Sequence, residues 1–198
     1  MLVSYAKAVS RLGTESAFEV LARAKALEAQ GKNIVHLQIG EPDFDTPKNV
    51  VDAGVKALQS GWTHYGPAQG LPQLREAIAD EIARTRGFKP SLDEILVCPG
   101  AKPIMFYLLL VLCEEGDVVV YPNPGFPIYE SMINWVGAKA VPCPILEEND
   151  FAFDLGSFKK LITPKTKLVI LNTPSNPTGG VLSDELIEGI SKLALEHK

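Results

Sequence analysis

The sequence predicts an α/β protein of three layers, with helices wound over both faces of a mostly parallel sheet. Two features predict it. From residue 93 onward, short β-prone runs alternate with helical ones at the close spacing of βαβ units. The strand candidates are also unbroken apolar runs, such as Ile95-Leu96-Val97, Val118-Val119-Val120 and Leu168-Val169-Ile170-Leu171. Runs of that kind suit strands covered on both faces, whereas a strand with one wet face alternates.

The elements follow in order. Residues 14–31 form an amphipathic helix, since Phe18, Leu21, Ala22 and Leu27 recur near helical spacing and Gly31 supplies the stop. Residues 34–39 are short and β-prone. Residues 40–47 then carry two prolines and three acids, which makes a loop. Thr46 is placed to cap a helix with Pro47 at its first position, running to Leu58 with a stop at Gly61. A loop over 62–70 leads to a longer helix over 71–86, closed by Gly87. Strands are predicted at 94–98, 117–121, 138–143 and 167–171, with helices at 103–113, 128–136, 155–162 and 184–196. Ser183 caps the last of these.

Composition narrows the function classes. The chain has 198 residues, of which 46% are hydrophobic and 22% charged, enough apolar material for a sizeable core. A formal net charge of −5 argues against nucleic acid as the main partner, because phosphate backbones select clustered Lys and Arg. Cys98, Cys113 and Cys143 are far apart and lie in or beside apolar runs, which reads as buried free thiols in a reducing compartment. Lys7 and Arg11 interrupt what a signal peptide would keep apolar, and the apolar run at 104–113 is too short to span a bilayer. The expectation is a cytoplasmic protein without a membrane segment.

In an open α/β sheet, ligands bind beyond the carboxyl ends of the strands. Three loops lie there. Pro99-Gly100-Ala101-Lys102 opens a helix, whose first N–H groups can hold a phosphate; the plain alternative is a βα connection that turns at Gly100. Pro122-Asn123-Pro124-Gly125-Phe126-Pro127 fixes an aromatic that can stack on a flat ring or serve the core. In Asn172-Thr173-Pro174-Ser175-Asn176-Pro177-Thr178-Gly179-Gly180, the Asn176 amide can meet a ligand oxygen or close an Asx turn. His36, His64 and His197 show no ligand spacing, so no metal site is expected. A GxSxG elbow is missing too.

Taken together and in order, these segments resemble the class I/II aminotransferases of the aspartate aminotransferase type, pyridoxal-phosphate (PLP) enzymes of fold type I. The resemblance is carried by Gly40-Glu41-Pro42-Asp43-Phe44, by Tyr65-Gly66-Pro67 with Gly70-Leu71-Pro72-Gln73-Leu74-Arg75, and by Gly100-Ala101. Pro124-Gly125-Phe126-Pro127-Ile128-Tyr129 and the loop from Asn172 to Gly179 complete it. It covers nearly the whole chain and implies the N-terminal half of such an enzyme, with an arm over 1–45 and a partial PLP-binding domain over 46–198.

The resemblance also implies roles. Gly100, Ala101 and Lys102 match the turn that holds the PLP phosphate, with the Lys102 side chain either adding charge there or pointing to solvent. Phe126 matches the aromatic stacked on the pyridine ring, and Asn176 the amide at its phenolic oxygen. Tyr65 matches a tyrosine that reaches the partner subunit's phosphate, which implies a homodimer. Gly40 matches the backbone beside the substrate carboxylate. The implied substrates are an amino acid and a 2-oxo acid. The family's Schiff-base lysine, its pyridine-nitrogen aspartate and its two site arginines fall beyond position 198, so this chain by itself is expected to be inactive. The resemblance does not separate an aminotransferase from a carbon–sulfur lyase or synthase of the same fold type, and a non-catalytic PLP- or phosphate-binding module is the other reading. It further implies cis bonds at Asn123-Pro124 and Asn176-Pro177, and a strand at 118–121 lying between those at 139–142 and 168–171. The freed edge of 168–171 is expected to pair with 94–98 or with another chain.

Overall fold

A computed structural model describes residues 4–13 and 16–197. The chain forms two compact units, one of residues 20–103 and one of residues 1–19 with 104–198.

The unit of 20–103 is helical. It takes most of α1 (Ser16–Glu28), then α2 (Lys48–Gln59) and α3 (Pro72–Arg86), and ends in the start of α4 (Ala101–Leu112). The first two positions of the expected helix over 14–31 lie outside the described residues. Pro47 occupies the N-cap of α2 rather than its first turn, and no side chain caps that end, so Thr46 does not serve as expected.

Two expected strands are not strands. Residues 34–39 form no ladder and bend at 38–39, while Glu94 ends a 3-10 turn (Leu92–Glu94) and residues 95–98 form no ladder. A strand exists by its neighbour's hydrogen bonds, and neither segment has a neighbouring strand among the described residues. His36 Nε2 meets Glu28 Oε1 at 2.8 Å, while Val35 and Leu37 are exposed. In the other segment Val97 N donates to Gln69 O at 3.0 Å, and the Ile95 carbonyl accepts from Arg75.

The second unit is built on β1 (Val118–Asn123), β2 (Lys139–Pro144) and β3 (Thr166–Val169), all parallel, in the order β2-β1-β3. The expected middle position of 118–121 is observed. Alternate residues of β1 feed two cores. Val118 and Val120 join Cys143, Phe158, Ile190 and Leu193 on the face covered by α6 (Leu155–Leu161) and α7 (Asp184–Glu196). Val119 and Tyr121 join Leu109, Cys113, Tyr129 and Ile133 on the face covered by α4 and α5 (Ile128–Trp135). Coverage of both faces is why the β1 run is continuously apolar. α7 begins as expected, with Ser183 Oγ accepting from Leu186 N.

Prolines set the limits of the sheet. The β1–β3 ladder runs out at Val120↔Val169, just before Pro122, which has no N–H to give. Pro142 and Pro144 lie in the outer strand β2, where a missing donor is tolerated and the edge is blunted. β3 is shorter than the 167–171 expected from its apolar run. Among the described residues it pairs only with β1, so the expected pairing with 94–98 does not form. No helix among the described residues is long and apolar enough to cross a membrane.

Two outcomes follow from this packing. Phe158 is 1% exposed in the α6/α7 core, and Phe158→Ala should cost about 3–5 kcal/mol in urea unfolding. Burial, reinforced by Asp154, pushes the Cys143 thiol up to about 11, whereas Cys98 is only half-buried. In native protein at neutral pH, iodoacetamide should therefore label Cys98 well before Cys143, with the difference abolished in denaturant.

Candidate functional site

β1 and β3 are neighbouring parallel strands, so the loops that follow them leave the same end of the sheet. The first carries Phe126 and the second Asn176, and the structure joins their surroundings. Phe126, half-buried, meets Tyr129 perpendicularly, with ring centroids 5.8 Å apart and planes at 81°. Tyr129 is buried in α5, and its hydroxyl accepts from Asn172 Nδ2 at 3.0 Å. Asn172 stands just past β3. This bridge was not foreseen from the sequence. Its only trace there is a tyrosine one helical turn after Phe126 and an amide at a strand end. The Tyr121 phenol belongs to the same cluster and is pushed up to about 12 by burial and by Glu130.

The second loop is rigid for local reasons. Ser175 N donates to Gly180 O at 2.8 Å, Gly179 N to Ser175 O at 2.7 Å, and Leu182 N to Thr173 Oγ1 at 3.0 Å. A Cβ on Gly180 would stand 2.5 Å from the Phe151 carbonyl oxygen, so only glycine lets the loop lie on that neighbour. Asn123-Pro124 and Asn176-Pro177 are both cis, as expected, and Thr173-Pro174 is cis as well. Asn176 is exposed to solvent, while Ser175 before it is 8% exposed and its hydroxyl has no partner among the described residues.

Gly40, Tyr65, Gly100, Ala101 and Lys102 belong to the unit of 20–103. Gly100 has φ +94°, and its N–H donates to Cys98 O at 2.8 Å, which turns the chain into α4. A Cβ built on Gly100 would meet nothing within 4 Å, so the positive φ rather than crowding favours glycine here. The third residue of α4, Pro103, has no N–H to offer, as suits a first-turn position. An anion approaching here meets the positive end of the helix. Gly40 and the Lys102 side chain are exposed, and Tyr65 is fully so at 110%.

The parallel sheet, wound on both faces and carrying loops of this kind, is part of a PLP fold type I domain. The chain belongs to the family of class I and II aminotransferases, which it matches over residues 32–198. It is 38% identical over 192 residues to an aspartate aminotransferase of Geobacillus stearothermophilus, covering 97% of this chain and 49% of that protein. It superposes with a TM-score of 0.94 and 36% identity on the aspartate aminotransferase of Thermus thermophilus with maleate, covering all of this chain and 52% of that one. An alanine aminotransferase of Pyrococcus furiosus gives a TM-score of 0.93 at 29% identity. The chain spans about half the length of the relatives it matches. The enzymes of this family use pyridoxal phosphate.

The loop after β3 makes two opposite expectations. Ser175→Ala removes a buried hydroxyl that has no partner among the described residues, and should leave stability unchanged or raise it by up to about 1 kcal/mol. Gly180→Ala forces a side chain against backbone and should cost about 1–3 kcal/mol. Thermal or urea unfolding of the two variants checks both.

Proposed function

We propose that the intact protein moves an amino group between an amino acid and a 2-oxo acid with PLP as cofactor, and that these 198 residues supply much of the cofactor-holding surface. The observation that carries this reading is the match to the aminotransferase family along most of the chain. The relatives are mostly named for aspartate, which makes aspartate the first donor to try.

The residues present fit the cofactor. The turn at Gly100, with its positive φ, and the amino-terminal end of α4 at Ala101 and Lys102 suit a phosphate. The Phe126 ring is fixed beside Tyr129 at the carboxyl end of β1 and suits the face of a flat heterocycle. Asn176 carries a solvent-facing amide that can donate to a phenolic oxygen. When bound, PLP supplies the electron sink for breaking bonds at the substrate α-carbon. The part of this chain is to bind and orient: anion at the turn, ring against Phe126, ring oxygen at Asn176, substrate carboxylate beside Gly40. The exposed Tyr65 ring is suited to reach a second copy, which favours a homodimer. The division into an arm of 1–45 and a cofactor-binding part of 46–198 belongs to the same proposal.

The groups that carry out covalent chemistry, a lysine and the arginines that grip substrate and phosphate, are proposed to come from sequence outside these 198 residues. The polypeptide of 198 residues should then bind PLP weakly, and borohydride reduction should fix cofactor to no single lysine. One specifically labelled lysine, with amino-acid-dependent spectral change, would overturn that part of the reading. In the full-length protein, Phe126→Ala should weaken PLP about tenfold by equilibrium titration, and aspartate with 2-oxoglutarate should give turnover.

A further inference from the structure

We infer that Arg75 is a positioning residue for the phosphate turn, acting through the backbone of residues 92–98. This rests on the role proposed above for Gly100, Ala101 and Lys102. The segment leading into that turn has no ladder to hold it, although its apolar run predicts one. Arg75 takes the place of a ladder. Its side chain is 12% exposed, and its guanidinium donates from Nε to the Ile95 carbonyl at 3.1 Å and from Nη2 to the Leu92 carbonyl.

The geometry is that of a clamp. Leu92 and Ile95 are the two ends of one short turn, since Ile95 N donates back to Leu92 O at 3.1 Å. One rigid planar fork on both carbonyls therefore fixes that turn in place and in rotation. A second hold comes two residues later: Val97 N donates to Gln69 O, and a Cβ on Gly70 would stand 2.7 Å from the Val97 side chain. From Val97 the chain reaches Gly100 in three residues, too few for the turn to wander from its anchor. All of these groups lie in the unit of 20–103.

Its place in α3 also sets Arg75 apart. It follows Pro72 by three residues, in the amino-terminal part of a helix whose first turn has no acid. A cation there opposes the helix dipole. The arrangement is sustained because two carbonyls accept from the charged group, that of the buried Ile95 and that of the more exposed Leu92, and such bonds are stronger than neutral ones. Asp93, with its carboxylate oxygen 4.0 Å from Nη2 and fully exposed, adds little.

A clamp on the phosphate turn should matter for the phosphate and not for the ring. The test uses the full-length protein, Arg75→Met and Arg75→Lys, and two ligands that differ only in the phosphate: PLP and pyridoxal. Lysine keeps the charge and apolar stem but lacks the rigid planar fork, so it guards against a variant that fails to fold. Dissociation constants come from absorbance titration, with thermal unfolding run on each protein. The expected result is PLP weakened by about tenfold to a hundredfold in both variants, with pyridoxal affinity within about twofold of the unchanged protein. Equal loss for both ligands, or no loss for either, overturns the inference and leaves the phosphate-turn reading standing. An unchanged protein that fails to prefer PLP over pyridoxal overturns the phosphate-turn reading, and this assignment with it.

Discussion

The parallel pairing of β1 with strands on both sides is the constraint on which the sheet unit depends. β1 is flanked in the ladder by β2 and β3 and covered above and below, so its residues from Val118 to Pro122 are all buried. Burial on four sides fixes register, because a slip of one residue would exchange the two cores that Val118/Val120 and Val119/Tyr121 serve. Parallel direction in turn delivers the loops with Phe126 and Asn176 to one end. Nothing in those loops could aim a side chain if the strands beneath them were free to shift.

The two sets of candidate residues are held by different means. At the sheet end, prolines, backbone bonds and the Tyr129–Asn172 contact stiffen loops that leave well-anchored strands. In the other unit the turn proposed for the phosphate follows a segment that no strand accompanies, and a side chain, Arg75, donates to its backbone. Loops are tolerant of substitution when their frame is rigid. Residues 92–98 are tied to the rest of their unit by the Arg75 guanidinium, by the bond from Val97 N to Gln69 O and by the close contact of Val97 with Gly70, fewer ties than a paired strand would have.

Most of the fold was legible because the signals are local. Helices announced themselves by period and by stops such as Gly31, Gly61 and Gly87, and β1, β2 and β3 by apolar runs between turns. Residues 34–39 and 94–98 carry the same local signal but lack a ladder partner, and that lack is non-local information. The site divides in the same way. Gly100, Phe126 and Asn176 stand in motifs that can be recognised in order. Arg75 and Asn172 act on residues 17 to 43 positions away, and no spacing rule reaches that far. In the sequence Arg75 is only one letter of a family motif; its bonds to Leu92 and Ile95 exist only in the folded chain.

The spatial order of the strands also bears on how the chain is made. The central strand β1 leaves the ribosome before either of its neighbours, because β2 and β3 both follow it in sequence. Until they arrive, Val118-Val119-Val120-Tyr121 is a short β-prone apolar segment with both edges open, the kind that associates with other nascent chains. Its neighbours in sequence are suited to this interval. Glu114, Glu115 and Asp117 precede it, and Pro122 and Pro124 follow, charge on one side and missing donors on the other. Such flanks discourage intermolecular strand growth at both ends. The proline at which the β1–β3 ladder stops in the finished sheet thus also guards the strand during synthesis.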